Sequence, residues 1–158
     1  NPGTHMELGP IPMKYGYDTS IQGNGGKSTI NPIIFRYADA YLSLAEALYL
    51  KNGSTAADKE KARSLINTIR SRAGLAELPA SAIDAQNKFV ECLLKERSHE
   101  FWCENGQYRA DLIRFDKFVS HAETVKGTSY ANKNKELYPL PLSAITDGKG
   151  LVLNNPGY

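Results

Sequence analysis

The chain has 158 residues, 41% of them hydrophobic and 23% charged, with a formal net charge of +2 at pH 7. That is enough chain for one domain with a real core. The near balance of charge excludes the basic stripe of a nucleic-acid binder, and no apolar run approaches the roughly 18–20 residues that span a bilayer as a helix.

Residues 1–30 are rich in glycine and proline, show no periodicity and read as an irregular N-terminal loop. Asn31 is placed to cap a first helix with Pro32 at its first position. The stripe Ile34, Tyr37, Ala38, Tyr41, Leu42, Ala45 and Leu48 turns to a core, and Gly53 ends the helix. A second helix is expected from about Thr55, capped reciprocally with Asp58, to Gly74, burying Ala62, Leu65, Ile66, Ile69 and Ala73. The short connection 52–54 makes the two an antiparallel hairpin.

Ser81 and Asp84 open a third helix, expected to run to about Asn105, where Gly106 breaks it. A fourth covers about Tyr108–Val119. Pro139 and Pro141 argue against a helix in YPLPLSAI, which reads as an extended segment docking on helices. The tail NNPGY is expected to fold back onto the body. The expected class is all-α: helical hairpins, tetratricopeptide-like, with long irregular loops and an extended C-terminal tail.

The third helix carries ionic groups where hydrocarbon should be. Phe89, Cys92, Leu93, Glu96, Glu100 and Cys103 fall three or four apart, as do Val90, Leu94, Arg97 and Phe101, so Glu96, Arg97 and Glu100 continue the apolar face. Charges there survive only if paired and hydrogen-bonded. Arg109, Asp111 and Arg114 follow closely, and Arg70 and Arg72 are within reach from the second helix. These residues define an expected structural ion network. The sharper alternative, a glycosidase acid–base pair at Glu96 and Glu100, conflicts with the surrounding guanidinium groups, which lower a carboxyl pKa when a general acid needs it raised. No cleft-forming element is evident in the pattern.

Cys92 and Cys103, eleven residues apart on one helix, are about 16 Å apart, too far for a disulfide, and read as small core hydrophobes. The three histidines have no ligand spacing, so no metal site and no cofactor is expected. Tyr37, Tyr41 and Trp102 read as packing residues. Tyr15, Tyr17 and Tyr130 stand in loops among glycine, asparagine, lysine and serine, the setting of a recognition surface.

In chain order, RYADAYLSLAEAL, INTIRSRAGL, LLKERSHEFWCENGQYRADLIRF, LYPLPLSAI and NNPGY resemble the C-terminal part of the SusD/RagB family. One departure is local. The family pattern sets arginine three residues before aspartate, whereas Arg109 precedes Asp111 by two, which turns the pair to different helix faces. Asp111, Leu112 and Arg114 match. The resemblance implies a SusD-like domain over 31–158, a fragment of a longer surface lipoprotein of the Bacteroidetes outer membrane. It implies non-catalytic binding of a glycan or oligosaccharide, with a SusC-like TonB-dependent transporter as partner, and a membrane link only through a lipid anchor on the part absent here. Tyr15, Tyr17 and Tyr130 are then the glycan-contact candidates and this segment is mainly scaffold. A helical-repeat protein adaptor and a glycoside hydrolase fragment are the alternatives.

Overall fold

A computed structural model describes residues 14–15, 30–104 and 106–158, the side chain of Tyr130 excepted, so most of the expected loop 1–30 lies outside the described residues. Among the described residues every regular element is helical, and the chain is all-α as its periodicity demands: α1 (Tyr37–Leu50), α2 (Ala56–Arg72), α3 (Gln86–Glu100), α4 (Gln107–Arg114), α5 (Phe118–Lys126) and α6 (Leu142–Asp147). Short 3-10 turns stand at Ala80–Ile83, Thr128–Tyr130 and Lys133–Glu136. The chain divides into two compact units, Asn1–Gln107 and Tyr108–Tyr158.

The first unit is the α1–α2 hairpin with α3 packed against it. The Thr55 hydroxyl accepts from the Asp58 N–H at 3.1 Å, and the Asp58 carboxylate accepts from the Thr55 N–H at 2.9 Å, which satisfies donors at the start of α2 that no helical carbonyl can reach. These bonds and the Lys51 ammonium hold the Asp58 carboxyl at about 2, the lysine contributing most. At the other end Gly74 takes a φ of +72°, and the Leu75 N–H donates to the Arg70 carbonyl at 2.9 Å, closing α2 as expected.

Leu42, Ala45, Ala62, Ile66, Phe89 and Leu93 are fully buried and form the centre of this unit. Phe89 stacks on Tyr49 with ring centres 3.8 Å apart. The Tyr49 hydroxyl donates to the Ile83 carbonyl at 2.6 Å, which makes burial of a phenol tolerable. That burial raises the Tyr49 pKa.

Several boundaries differ from the pattern, among them the start of α3, which lies at Gln86 and not at Ser81, because Ala85 is extended (φ −127°, ψ 152°) and separates the helix from the 3-10 turn Ala80–Ile83. α1 begins at Tyr37, not Pro32, because Arg36 is held extended (φ −132°, ψ 153°) by the ion pairs of its side chain with Glu100 and Glu104. Ile34 and Phe35 remain 80% and 64% exposed, so another helical turn would bury nothing to offset its conformational entropy. Tyr37, expected inside, is 75% exposed for the same reason: it lies in the first turn, short of the packed stretch.

α3 stops at Glu100, five residues short of Asn105. Arg36 donates to the Glu100 carbonyl at 2.6 Å and Lys14 donates to it as well. A carbonyl so occupied cannot continue the helical ladder, and the Glu104 N–H turns back to the Phe101 carbonyl at 2.9 Å. Trp102 is therefore 47% exposed instead of packed.

Cys103, at φ +62°, is exposed and not a core hydrophobe; the two cysteines do not share a helix, and both are free thiols. Cys92 is half-buried, and burial pushes its thiol to about 11. A maleimide at pH 8 is expected to label Cys103 at least about tenfold faster than Cys92, since the thiolate is the nucleophile. Equal rates by mass spectrometry would mean that the α3 face opens to solvent.

In the second unit the expected fourth helix is two. Asp116 takes a φ of +54°, and the Lys117 N–H donates to the Leu112 carbonyl at 2.7 Å while the Asp116 N–H donates to Ile113 at 3.0 Å. This is the bonding of a helix stop, and α5 starts anew at Phe118. The proline argument also fails downstream. Pro141 (φ −55°) precedes the first residue of α6, where a missing N–H costs nothing.

The tail folds back through side chains. Asn154 Oδ1 accepts from the Leu140 N–H at 2.8 Å, Asn155 Nδ2 donates to the Tyr138 carbonyl at 2.6 Å, and the Tyr158 hydroxyl donates to the Leu137 carbonyl at 3.1 Å. Pro139 and Pro141 cannot donate to a backbone ladder, and the asparagines satisfy that segment instead.

Candidate functional site

Two places gather functional groups, one in each unit. The first is an ionic hub around the C-terminal end of α3, in the first unit. The last carbonyls of a helix lack intrahelical donors, and its C-terminal pole repels carboxylates. Glu100 sits there nonetheless, because cations arrive from three directions. Its carboxylate accepts from Arg36 Nη1 at 2.5 Å and from Arg72 Nη2 at 2.5 and 2.7 Å. Glu104 accepts from Arg36 Nε at 2.9 Å and pairs with Lys14 at 2.6 Å.

Glu96 pairs with Arg70, whose Nε also donates to the Ala76 carbonyl at 2.8 Å. Arg97 Nη1 donates to Asp39 at 2.7 Å. The guanidinium carbons of Arg36 and Arg97 lie 5.1 and 5.2 Å from the centre of the buried Phe101 ring, within cation–π range. Burial alone would raise the Glu104 pKa, but Arg36 and Lys14 outweigh it and the carboxyl lies below its usual range.

Glu96, Arg97 and Glu100 are thus brought together with Arg70 and Arg72. Arg36, Asp39 and Lys14 join them from other stretches, which the α3 pattern could not indicate, and Glu104 joins from within the run expected to be helical, four residues after Glu100. Arg109, Asp111 and Arg114 belong to the second unit. The buried Asp111 accepts from Arg114 at 2.9 Å. Arg109, two residues earlier, turns elsewhere: its Nη2 donates to the carbonyls of Lys135 and Glu136 at 2.8 and 3.1 Å.

That arginine forms one wall of the second place, a cleft of about 460 Å³ lined by Phe118, His121, Val125, Ser129, Asn132 and Lys135 among others. It exists because the chain stops at Asp116 and restarts, setting α5 beside the turns of 128–136. The sequence offered one unrecognised signal, the polar pair Asp116-Lys117 in the last turn of the expected helix. Phe118 is half-buried and Val125 is 63% exposed. The Arg109 guanidinium lies 4.0 Å from the Tyr138 ring centre and 5.3 Å from that of Phe118, while His121 meets Tyr108 edge-on at 5.3 Å. Burial raises the pKa of Tyr108. Volume and mixed lining fall within the range of small-molecule sites, roughly 300–1,000 Å³.

Of the tyrosines on loops, Tyr15 is half-buried and its hydroxyl accepts from the Ile33 N–H at 3.3 Å. Tyr17 lies outside the described residues. Tyr130 ends the 3-10 turn Thr128–Tyr130, directly after Ser129 of the cleft lining. No cluster of histidine, cysteine, aspartate or glutamate suited to a metal ion occurs among the described residues.

Comparison with known proteins agrees with the helical architecture. The chain is 30% identical over 132 residues to the starch-binding protein SusD of Bacteroides thetaiotaomicron, covering 79% of this chain and 21% of that protein. It is 28% identical over 155 residues to the SusD-like protein P2 of Formosa agariphila, covering 94% of this chain and 30% of that one. The chain therefore spans less than a third of the length of these relatives. No solved structure matches it significantly. The family model described as the SusD family matches residues 2–158, nearly the whole chain, and the protein belongs to that family.

Proposed function

We propose that this chain is part of a non-catalytic glycan-binding protein at the surface of the outer membrane. It captures oligosaccharides and passes them to a SusC-like TonB-dependent transporter, the full-length protein being held to the membrane by a lipid anchor outside this segment. The observation that carries the reading is the family match over residues 2–158, with a starch-binding protein among the relatives. The first unit serves as scaffold, and Tyr15, Tyr17 and Tyr130 are the sugar-contact candidates. Absence of catalysis is supported by the hub, where Glu96, Glu100 and Glu104 are each engaged by arginine. A glycosidase acid needs a raised pKa and a free proton.

The test is calorimetry of the chain against a panel of neutral and acidic oligosaccharides, with product analysis of the same samples. Binding without new reducing ends is expected. Reducing-sugar release that disappears in Glu96→Gln or Glu100→Gln would overturn the reading, and silence across the panel would remove the sugar site from this segment. Arg97→Ala is expected to lower stability by about 3 kcal/mol, by stranding Asp39 and unstacking Phe101, with the order of preference among sugars unchanged. A changed preference would place the hub in the binding site.

A further inference from the structure

The cleft in the second unit has an unequal charge. Its lining includes Arg109, Lys126, Lys135 and His121, and no aspartate or glutamate. Its body is apolar, from Phe118, Ala122 and Val125, and Ser129 and Asn132 add neutral hydrogen-bonding groups. We propose that this cleft binds an acidic sugar, a pyranoside bearing carboxylate or sulfate, with the anionic group at Arg109 and the ring against Phe118 and Val125. The assignment rests on the sugar-binding reading above and narrows it to a ligand class and a place.

Arg109 is built for that role. Its Nη2 is committed to the carbonyls of Lys135 and Glu136, which fixes the plane of the guanidinium against the Tyr138 ring. Among the described residues Nε and Nη1 meet no acceptor. With Nη2 occupied, Nε and Nη1 lie on different edges of the guanidinium, so each can give an anionic oxygen one charge-assisted hydrogen bond, and with the plane already fixed little side-chain entropy is left to lose on binding. Lys135 is likewise immobilised, its ammonium donating to the Gly157 carbonyl at 3.0 Å and lying 3.6 Å from the Tyr158 ring centre. Its charge stays near the cleft without being neutralised by a carboxylate there. Phe118 and Val125 supply the flat apolar surface that the carbon face of a pyranose covers.

The test titrates the 158-residue chain with trigalacturonate, with maltotriose as an uncharged sugar of equal length and with inorganic sulfate alone. Trigalacturonate is expected to bind at least about tenfold tighter than maltotriose, and to weaken when salt rises from about 0.1 M to about 1 M. Val125→Asp introduces a carboxylate on an exposed wall, so the fold is kept, which circular dichroism checks. It is expected to weaken trigalacturonate at least about tenfold, and maltotriose, which loses only the apolar contact, by a clearly smaller factor. Arg109→Gln, which removes the positive charge, is expected to weaken trigalacturonate as well.

Maltotriose binding as tight as trigalacturonate, or a Val125→Asp variant with unchanged trigalacturonate affinity, would overturn the acidic-sugar assignment while sugar binding by the chain stands. Sulfate competing as well as trigalacturonate would reduce the cleft to a bare anion site and overturn the assignment too. Cleavage of either sugar would instead overturn the parent reading.

Discussion

Replacing Glu100 by alanine is expected to lower the melting temperature by roughly 10 °C, corresponding to about 3 kcal/mol. The carboxylate is 8% exposed and holds Arg36 and Arg72, so its removal leaves one guanidinium largely shut away from water with half its partners gone. Glu104 still engages Arg36 Nε, and Arg72 is 58% exposed and rehydrates readily. The loss therefore falls at the lower end of the roughly 3–5 kcal/mol seen when a buried pair is broken. A double-mutant cycle with Arg36→Ala isolates the pair, and coupling above about 1 kcal/mol is expected. Melting within a degree of the parent chain would mean that desolvation cancels the attraction and that the hub orders the end of α3 without stabilising it.

Phe89→Ala is expected to cost about 4 kcal/mol, the largest effect of any single truncation in this core. The ring is fully buried and stacked flat on Tyr49, and Tyr49 is in turn tied to the backbone at Ile83. These contacts restrict collapse around the hole that alanine leaves. Urea unfolding is expected to show a lower midpoint at unchanged slope. A loss below about 1 kcal/mol would show that Tyr49 swings into the space, contradicting the restraint assigned to its hydroxyl. Phe89→Leu, which keeps most of the volume, is expected to lose less than half as much.

Much of the first unit was legible because its helices advertise themselves. The Thr55–Asp58 box, Gly74 and the stripe of Ala62, Leu65, Ile66 and Ile69 are local signals whose partners lie within a few residues, and the structure realises them. The errors came where a distant residue decided a local outcome. Nothing near Pro32 shows that Arg36 will be drawn out to Glu100, and nothing in the run after Glu100 shows that its carbonyl will be taken by residues 14 and 36. The charges on α3 were visible as an anomaly, whereas Lys14, Arg36 and Asp39 needed the tertiary fold.

The second unit was read less well because its breaks rest on non-glycine residues. Asp116 occupies a left-handed conformation that most residues avoid, so the helix looked continuous and the cleft beside α5 did not show. Pro141 argues for a helix start as well as against a helix interior, and only the backbone decides between them. Family likeness supplied the class of function early, but it said nothing of the cleft.

The Asn154–Tyr158 segment acts at a distance. Tyr158 and the Gly157 carbonyl hold residues 135–137, and the carbonyls of 135 and 136 hold the guanidinium of Arg109. None of these last five residues lines the cleft, yet its arginine wall is aligned through them. During synthesis Arg109 and α5 therefore emerge before the segment that sets their geometry, which stays unset until residue 158 has followed. A cut anywhere in that segment acts as an unfastened clasp, leaving every cleft residue present and the wall unaligned.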